Sequence, residues 1–132
     1  MLSRHNRKSS PAFTLIELLV VILILAILMA IALPLYISAT ANSQMRTCRE
    51  NMRTIGNAVQ SDYYANQRTA YNYYFTAGGS VTLAKCPDLN GVPVCPAGGT
   101  YKIQNGASGG AQFRVHCSIS SHGDFYYGVD SQ

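Results

Sequence analysis

Ala12-Phe13-Thr14-Leu15-Ile16-Glu17-Leu18-Leu19-Val20-Val21 opens an apolar run that continues to Leu33, and its reading decides the fold. Residues 18–33 carry no polar side chain at all. As a helix, residues 13–35 would span about 34 Å, enough to cross a bilayer. One carboxylate, Glu17, stands near the start of this run. An ionised carboxylate in hydrocarbon costs about 3 kcal/mol or more, so acids in such places usually have a partner and a task.

Working outward, residues 1–12 (MLSRHNRKSSPA) combine Arg4, Arg7 and Lys8 with small residues and Pro11, without an apolar period. They read as a leader removed on processing, not as part of the fold. Pro34 lacks an N–H and would normally end a helix. Beyond it, however, Ile37, Ala41, Met45, Cys48, Met52, Ile55, Val59 and Tyr63 recur at steps of three and four, one face of an α-helix. Asn42, Gln44, Arg46, Arg49, Arg53, Asn57 and Gln60 fall on the opposite, soluble face. The pattern predicts one long helix from about Phe13 to Tyr64, kinked at Pro34; two helices broken at the proline are the alternative.

A short basic leader, a small residue, Phe13, and then Glu17 four residues on resemble the N-terminus of the type IV prepilins and pseudopilins. In that family a membrane peptidase cuts before the Phe and methylates the new amine. The resemblance thus implies a scissile bond between Ala12 and Phe13, with Phe13 N-methylated. It implies that Glu17 meets the N-terminal amine of a neighbouring subunit, since opposite charges in low dielectric offset one another's desolvation only when paired. Pro34 and Tyr36 also match common pilin features, whereas Ala12 departs from the Gly usual before the cut.

By the same resemblance the precursor sits in the bacterial inner membrane, single-pass, its leader cytoplasmic and its head exported, before joining a cell-surface or periplasmic filament. Partners implied are other pilins in a homo- or hetero-oligomeric filament, the prepilin peptidase/methyltransferase, membrane lipid, and an assembly platform with its ATPase. The function implied is that of a structural subunit of a type IV pilus or type II secretion pseudopilus. Two other functions compete. One is a minor pilin for adhesion or DNA uptake; the other is an unrelated exported domain, for which Ala39-Thr40-Ala41 resembles a signal-peptidase site.

The net charge of +4 is concentrated at the start of the chain. Three positive charges lie in residues 1–12, where they favour a cytoplasmic N-terminus; from Phe13 onward seven basic residues face six acidic ones. A near-neutral body supplies no electrostatic case for nucleic-acid binding. The division expected is a leader (1–12), an apolar helix half (13–35) and an exported head that includes the amphipathic helix half (36–132).

Residues 65–98 are rich in turn signals and read as a long connecting loop with a short element near Ala70–Phe75. Thr100–Gln104 and Gln112–Cys117 alternate around a Gly-rich link, a hairpin whose Tyr101, Ile103, Phe113 and Val115 would face the helix. Phe125–Val129 would add a third strand. The class expected is α+β, a pilin-like helix packed against a small antiparallel sheet.

Cys48, Cys86, Cys95 and Cys117 all follow the apolar run, and an even count in a small exported domain favours two disulfides over zinc. No C-x-x-C spacing supports a metal. If the hairpin turn centres near residue 106, Cys95 lies opposite Cys117, leaving Cys48 for Cys86; pairing of Cys86 with Cys95 is the rival. His116, Cys117 and His122 are the metal candidates, but adjacent strand residues face opposite sides, so His116 and Cys117 should not converge. Asp124 and Asp130 flank the last strand and offer weak support for calcium. No metal or cofactor is expected. The nine tyrosines read as packing and filament contacts, and no nucleophile elbow, phosphate loop or catalytic acid pair is visible, so no enzyme is expected.

Overall fold

The computed structural model describes residues 13–75, 81–82, 86–106 and 112–130. The leader, with Ala12, and most of the hairpin link lie outside them. The elements are a helix α1 (Leu15–Ala65), strands β1 (Tyr101–Asn105), β2 (Phe113–Cys117) and β3 (Asp124–Tyr127), and 3-10 turns at Tyr71–Tyr74 and Ser120–His122. The arrangement is α+β, a long N-terminal helix packed against a three-stranded antiparallel sheet.

Thr14 precedes the first helical residue, and its side chain and that of Glu17 bond each other's backbone. Thr14 Oγ1 accepts from Glu17 N–H at 3.3 Å, while Glu17 Oε2 accepts from Thr14 N–H at 3.4 Å and from its hydroxyl at 3.2 Å. This is a capping box, Thr-x-x-Glu, which satisfies donors that the first turn of any helix leaves open. The carboxylate also lies at the positive end of the helix dipole. The helix then runs unbroken through Pro34, so the reading of two separate helices is set aside.

The chain divides into two units, Met1–Ala39 and Thr40–Gln132, and α1 contributes to both. In the first, every described residue is exposed, from Phe13 at 76% through Leu15 at 81% to Ile37 at 59%. An 18-residue window of this helix reaches a mean hydropathy of 3.3, long and apolar enough to cross a membrane.

In the second unit the helical stripe finds its cover. Cys48, Met52, Ile55, Ala58 and Val59 are buried together with Tyr101 and Ile103 of β1, Phe113, Val115 and Cys117 of β2, and Phe125 of β3. Strand order is β1-β2-β3, with Ile103 opposite Val115 and Val115 opposite Phe125, so one face of the sheet forms an apolar row against the helix. Burial starts at Cys48; Ile37 and Ala41 continue the stripe in sequence but are exposed. Gly56 sets how closely β3 approaches, because a Cβ there would stand 3.1 Å from Tyr127 Cδ2 and 3.2 Å from Phe125 Cε1.

The 3-10 turn Tyr71–Tyr74 is tied to the end of α1 by aromatic and ionic contacts. Tyr71 stacks on Tyr63 with ring centroids 4.1 Å apart. Asp62, only 4% exposed, accepts from Asn66 Nδ2 at 2.7 Å, from Arg68 Nε at 3.1 Å and from the Tyr74 hydroxyl. Burial, and then this bond to Asp62, hold the Tyr74 phenol above its ordinary pKa.

Candidate functional sites: a capped apolar helix and a buried cysteine–histidine cluster

Of the residues that the sequence marks for processing and assembly, Phe13, Glu17 and Pro34 are described and Ala12 is not. Phe13 precedes the helix and is exposed, with Glu17 one turn beyond it on the first turn of α1. The Glu17 carboxylate is already engaged by Thr14, within its own chain. That role was legible in Thr14-Leu15-Ile16-Glu17 as a capping-box pattern. The two roles are compatible, because a carboxylate has lone pairs for several donors and Thr14 contacts only Oε2.

What surrounds this turn chemically is a helix surface with no polar side chain for sixteen residues, 18–33. Exposed Leu, Ile and Val on every side of one helix form a surface that water does not tolerate at this scale. Such a surface calls for an apolar environment on every face of the helix.

The second site lies inside the head. Cys48 from α1, Cys95 from the loop before β1, Cys117 at the end of β2 and His122 in the following 3-10 turn bring their ligand atoms within 4.8 Å of one another. Cys48 and Cys117 are fully buried, Cys95 is 2% exposed and His122 is 4% exposed. Cys95 Sγ stands 3.8 Å from Cys117 Sγ without a bond between them. His122 Nδ1 stands 3.4 Å from Cys95 Sγ and 3.8 Å from Cys117 Sγ.

The surroundings of these sulfurs are donors. Tyr101 donates its O–H to Cys48 Sγ at 3.4 Å, and Asn51 holds that phenol in place through Nδ2 at 3.2 Å while also donating to the Val94 carbonyl at 3.0 Å. Burial pushes the Cys48 thiol up to about 12. Burial acts the same way on Cys95, but hydrogen bonds from the backbone of Ala97 and Gly99, together with those from the Cys117 and Cys48 side chains, hold this thiol below its ordinary value. Gly99 is required at that place: a Cβ there would stand 2.9 Å from Cys117 Sγ, 3.3 Å from Cys95 Sγ and 2.8 Å from Ile119 Cγ1.

The expected neighbours Cys95 and Cys117 are thus brought together, and Cys48 joins them rather than standing apart. Cys86 is also fully buried but lies outside this group of four ligand atoms. His116 and Cys117 diverge as alternation along a strand requires: His116 Nδ1 lies 2.6 Å from Asp124 Oδ1 on the outer face of the sheet. Asp124 Oδ2 meets Arg114 Nη1 of the neighbouring β2 at 2.8 Å, and Asp130 Oδ2 accepts from Tyr126 N–H at 2.8 Å, so both carboxylates of the calcium candidates are engaged within the sheet region. Of the metal candidates read from the sequence, Cys117 and His122 come together and His116 does not; Cys48 and Cys95 are the members of the group that the sequence does not mark as metal ligands.

A family model for the prokaryotic N-terminal methylation motif matches residues 7–33. The chain therefore carries the type IV prepilin/pseudopilin signature, spanning the residues just before Phe13 and the apolar run. No curated protein and no solved structure matches the chain.

Proposed function

We propose that this chain is a structural subunit of a type IV pilus-like or type II secretion pseudopilus filament, made as an inner-membrane precursor and matured by cleavage between Ala12 and Phe13. The observation that carries the reading is the methylation motif over residues 7–33, seated on a helix whose apolar surface is exposed on all sides. Before assembly the run lies in lipid; in the filament neighbouring helices replace lipid around it, so extraction exchanges one apolar environment for another. Glu17 supplies the charge that the methylated amine of the next subunit would meet, and such a pair fixes register because a misplaced subunit strands two charges in low dielectric. The role is structural, not catalytic.

N-terminal sequencing and mass measurement of the mature protein test the processing step. A chain starting at methylated Phe13 is the expected result, whereas a chain starting at Asn42 would mean ordinary signal-peptide cleavage and end this proposal. For assembly, Glu17→Gln is more informative than Glu17→Ala, because glutamine still completes a capping box but carries no charge. Cleavage and membrane insertion should be retained and filament incorporation reduced; normal incorporation of Glu17→Gln would remove the charge pairing from the account.

A further inference from the structure

We propose that Cys48, Cys95, Cys117 and His122 form a structural zinc(II) site that closes the head domain. The inference stands on the head alone and does not depend on the filament reading.

Geometry carries the proposal. Ligand sulfurs about 2.3 Å from a common tetrahedral centre stand about 3.8 Å apart, and a sulfur and an imidazole nitrogen about 3.6 Å apart. The Cys95–Cys117 separation is 3.8 Å and the two His122 Nδ1 separations are 3.4 and 3.8 Å. Cys48 Sγ lies within 4.8 Å of all three. Three sulfurs and one nitrogen converging from α1, a loop, β2 and a 3-10 turn make a Cys3His donor set, a composition that selects zinc among the common divalent ions. All four positions are filled by protein and buried, which is the closed form of a structural centre with no place left for a substrate.

The surroundings fit a set of thiolates better than a disulfide. A Cys95–Cys117 bridge would use two of the four groups and leave the Cys48 sulfur, which accepts from the Tyr101 hydroxyl, and the His122 imidazole buried beside it. The donors aimed at sulfur point the same way: Tyr101 O–H to Cys48, backbone N–H of Ala97 and Gly99 to Cys95, and backbone N–H of Ile119 to Cys117. Such donors stabilise negative charge on metal-bound sulfur and orient the ligands. On binding, three thiols release three protons and the histidine binds neutral, so zinc enters with no change of oxidation state and the centre carries one net negative charge.

The test uses the full-length chain, purified from membranes in detergent without chelator or reductant. Zinc per chain is measured by elemental mass spectrometry, and cobalt(II) exchanged into the site is read by absorbance. The expected results are one zinc per chain and cobalt spectra with intense d–d bands and thiolate charge-transfer bands of a tetrahedral site. His122→Ala should lose the stoichiometric metal, and His122→Cys should keep it. Tyr101→Phe preserves the ring but removes the donor to Cys48 and should weaken zinc affinity about tenfold or more. Because Cys117→Ser can fail to fold, the wild-type chain also decides the question by unreduced peptide mapping. A peptide pair joined through Cys95 and Cys117, lighter by two hydrogens, with no stoichiometric zinc, would overturn the site. Full zinc retention in His122→Ala would overturn the assignment of the histidine.

Discussion

One helix, α1, is two different solutions to the same problem. Between Leu15 and Ala39 its apolar side chains are exposed throughout, whereas from Cys48 to Val59 its apolar stripe is buried under a sheet. The difference is one of pattern, not of total hydrophobicity. Residues 18–33 are apolar on every face, so no single sheet could cover them; Cys48, Met52, Ile55 and Val59 occupy one face, so a sheet of three strands can. A stretch left exposed on every face among the described residues calls for an apolar environment all round it.

The comparison is open to attack at several strengths. Phe113→Ala empties the centre of the head, where the ring is fully buried and stacks on Tyr127 at 5.0 Å; a loss of about 3–5 kcal/mol is expected in denaturant melts. Membrane fractionation of that variant should be unchanged. Ile24→Asp makes the reverse demand, placing a charge midway along the apolar run at a cost of about 3 kcal/mol of insertion. Its protein should shift out of the membrane fraction, while Asn57→Asp on the exposed helix face of the head should do neither.

Smaller effects sharpen the picture. Asp62→Ala removes the acceptor shared by Asn66, Arg68 and Tyr74 and should cost about 2 kcal/mol, with hydrogen exchange rising first in the Tyr71–Tyr74 turn. Thr14→Ala removes the N-cap of α1 and should cost about 1 kcal/mol, seen as fraying of the first turn by amide exchange in detergent. If fraying instead spread along the whole run, the cap would matter more than the surrounding lipid.

The architecture was legible because its signals are periodic. Steps of three and four from Ile37 to Tyr63 gave the helix, and alternation in Thr100–Gln104 and Gln112–Cys117 gave two strands to within a residue. Tyr101, Ile103, Phe113 and Val115 do face the core. The stripe overstated its own coverage, since Ile37 and Ala41 are exposed; periodicity reports a face, not what lies over it. Phe13 and Glu17 were readable as a motif because processing chemistry is linear in sequence. The Cys48–Cys95–Cys117–His122 cluster was legible only in parts, as Cys117 beside His122 and Cys95 opposite Cys117, because its members come from four separate elements and no local spacing rule joins all of them. Asp62 was missed for a similar reason: its partners Arg68 and Tyr74 reach it only after the chain turns back.

The Tyr101–Cys48 hydrogen bond spans 53 residues, whereas each pairing in the sheet joins strands that follow one another directly. Closing a long loop costs more chain entropy than closing a hairpin, and contacts distant in sequence slow folding. The meander can therefore assemble as a local event, and its seating on the helix carries the larger loop-closure cost. For a chain that emerges N-terminus first, the helix waits unaccompanied until nearly all of the head has followed it.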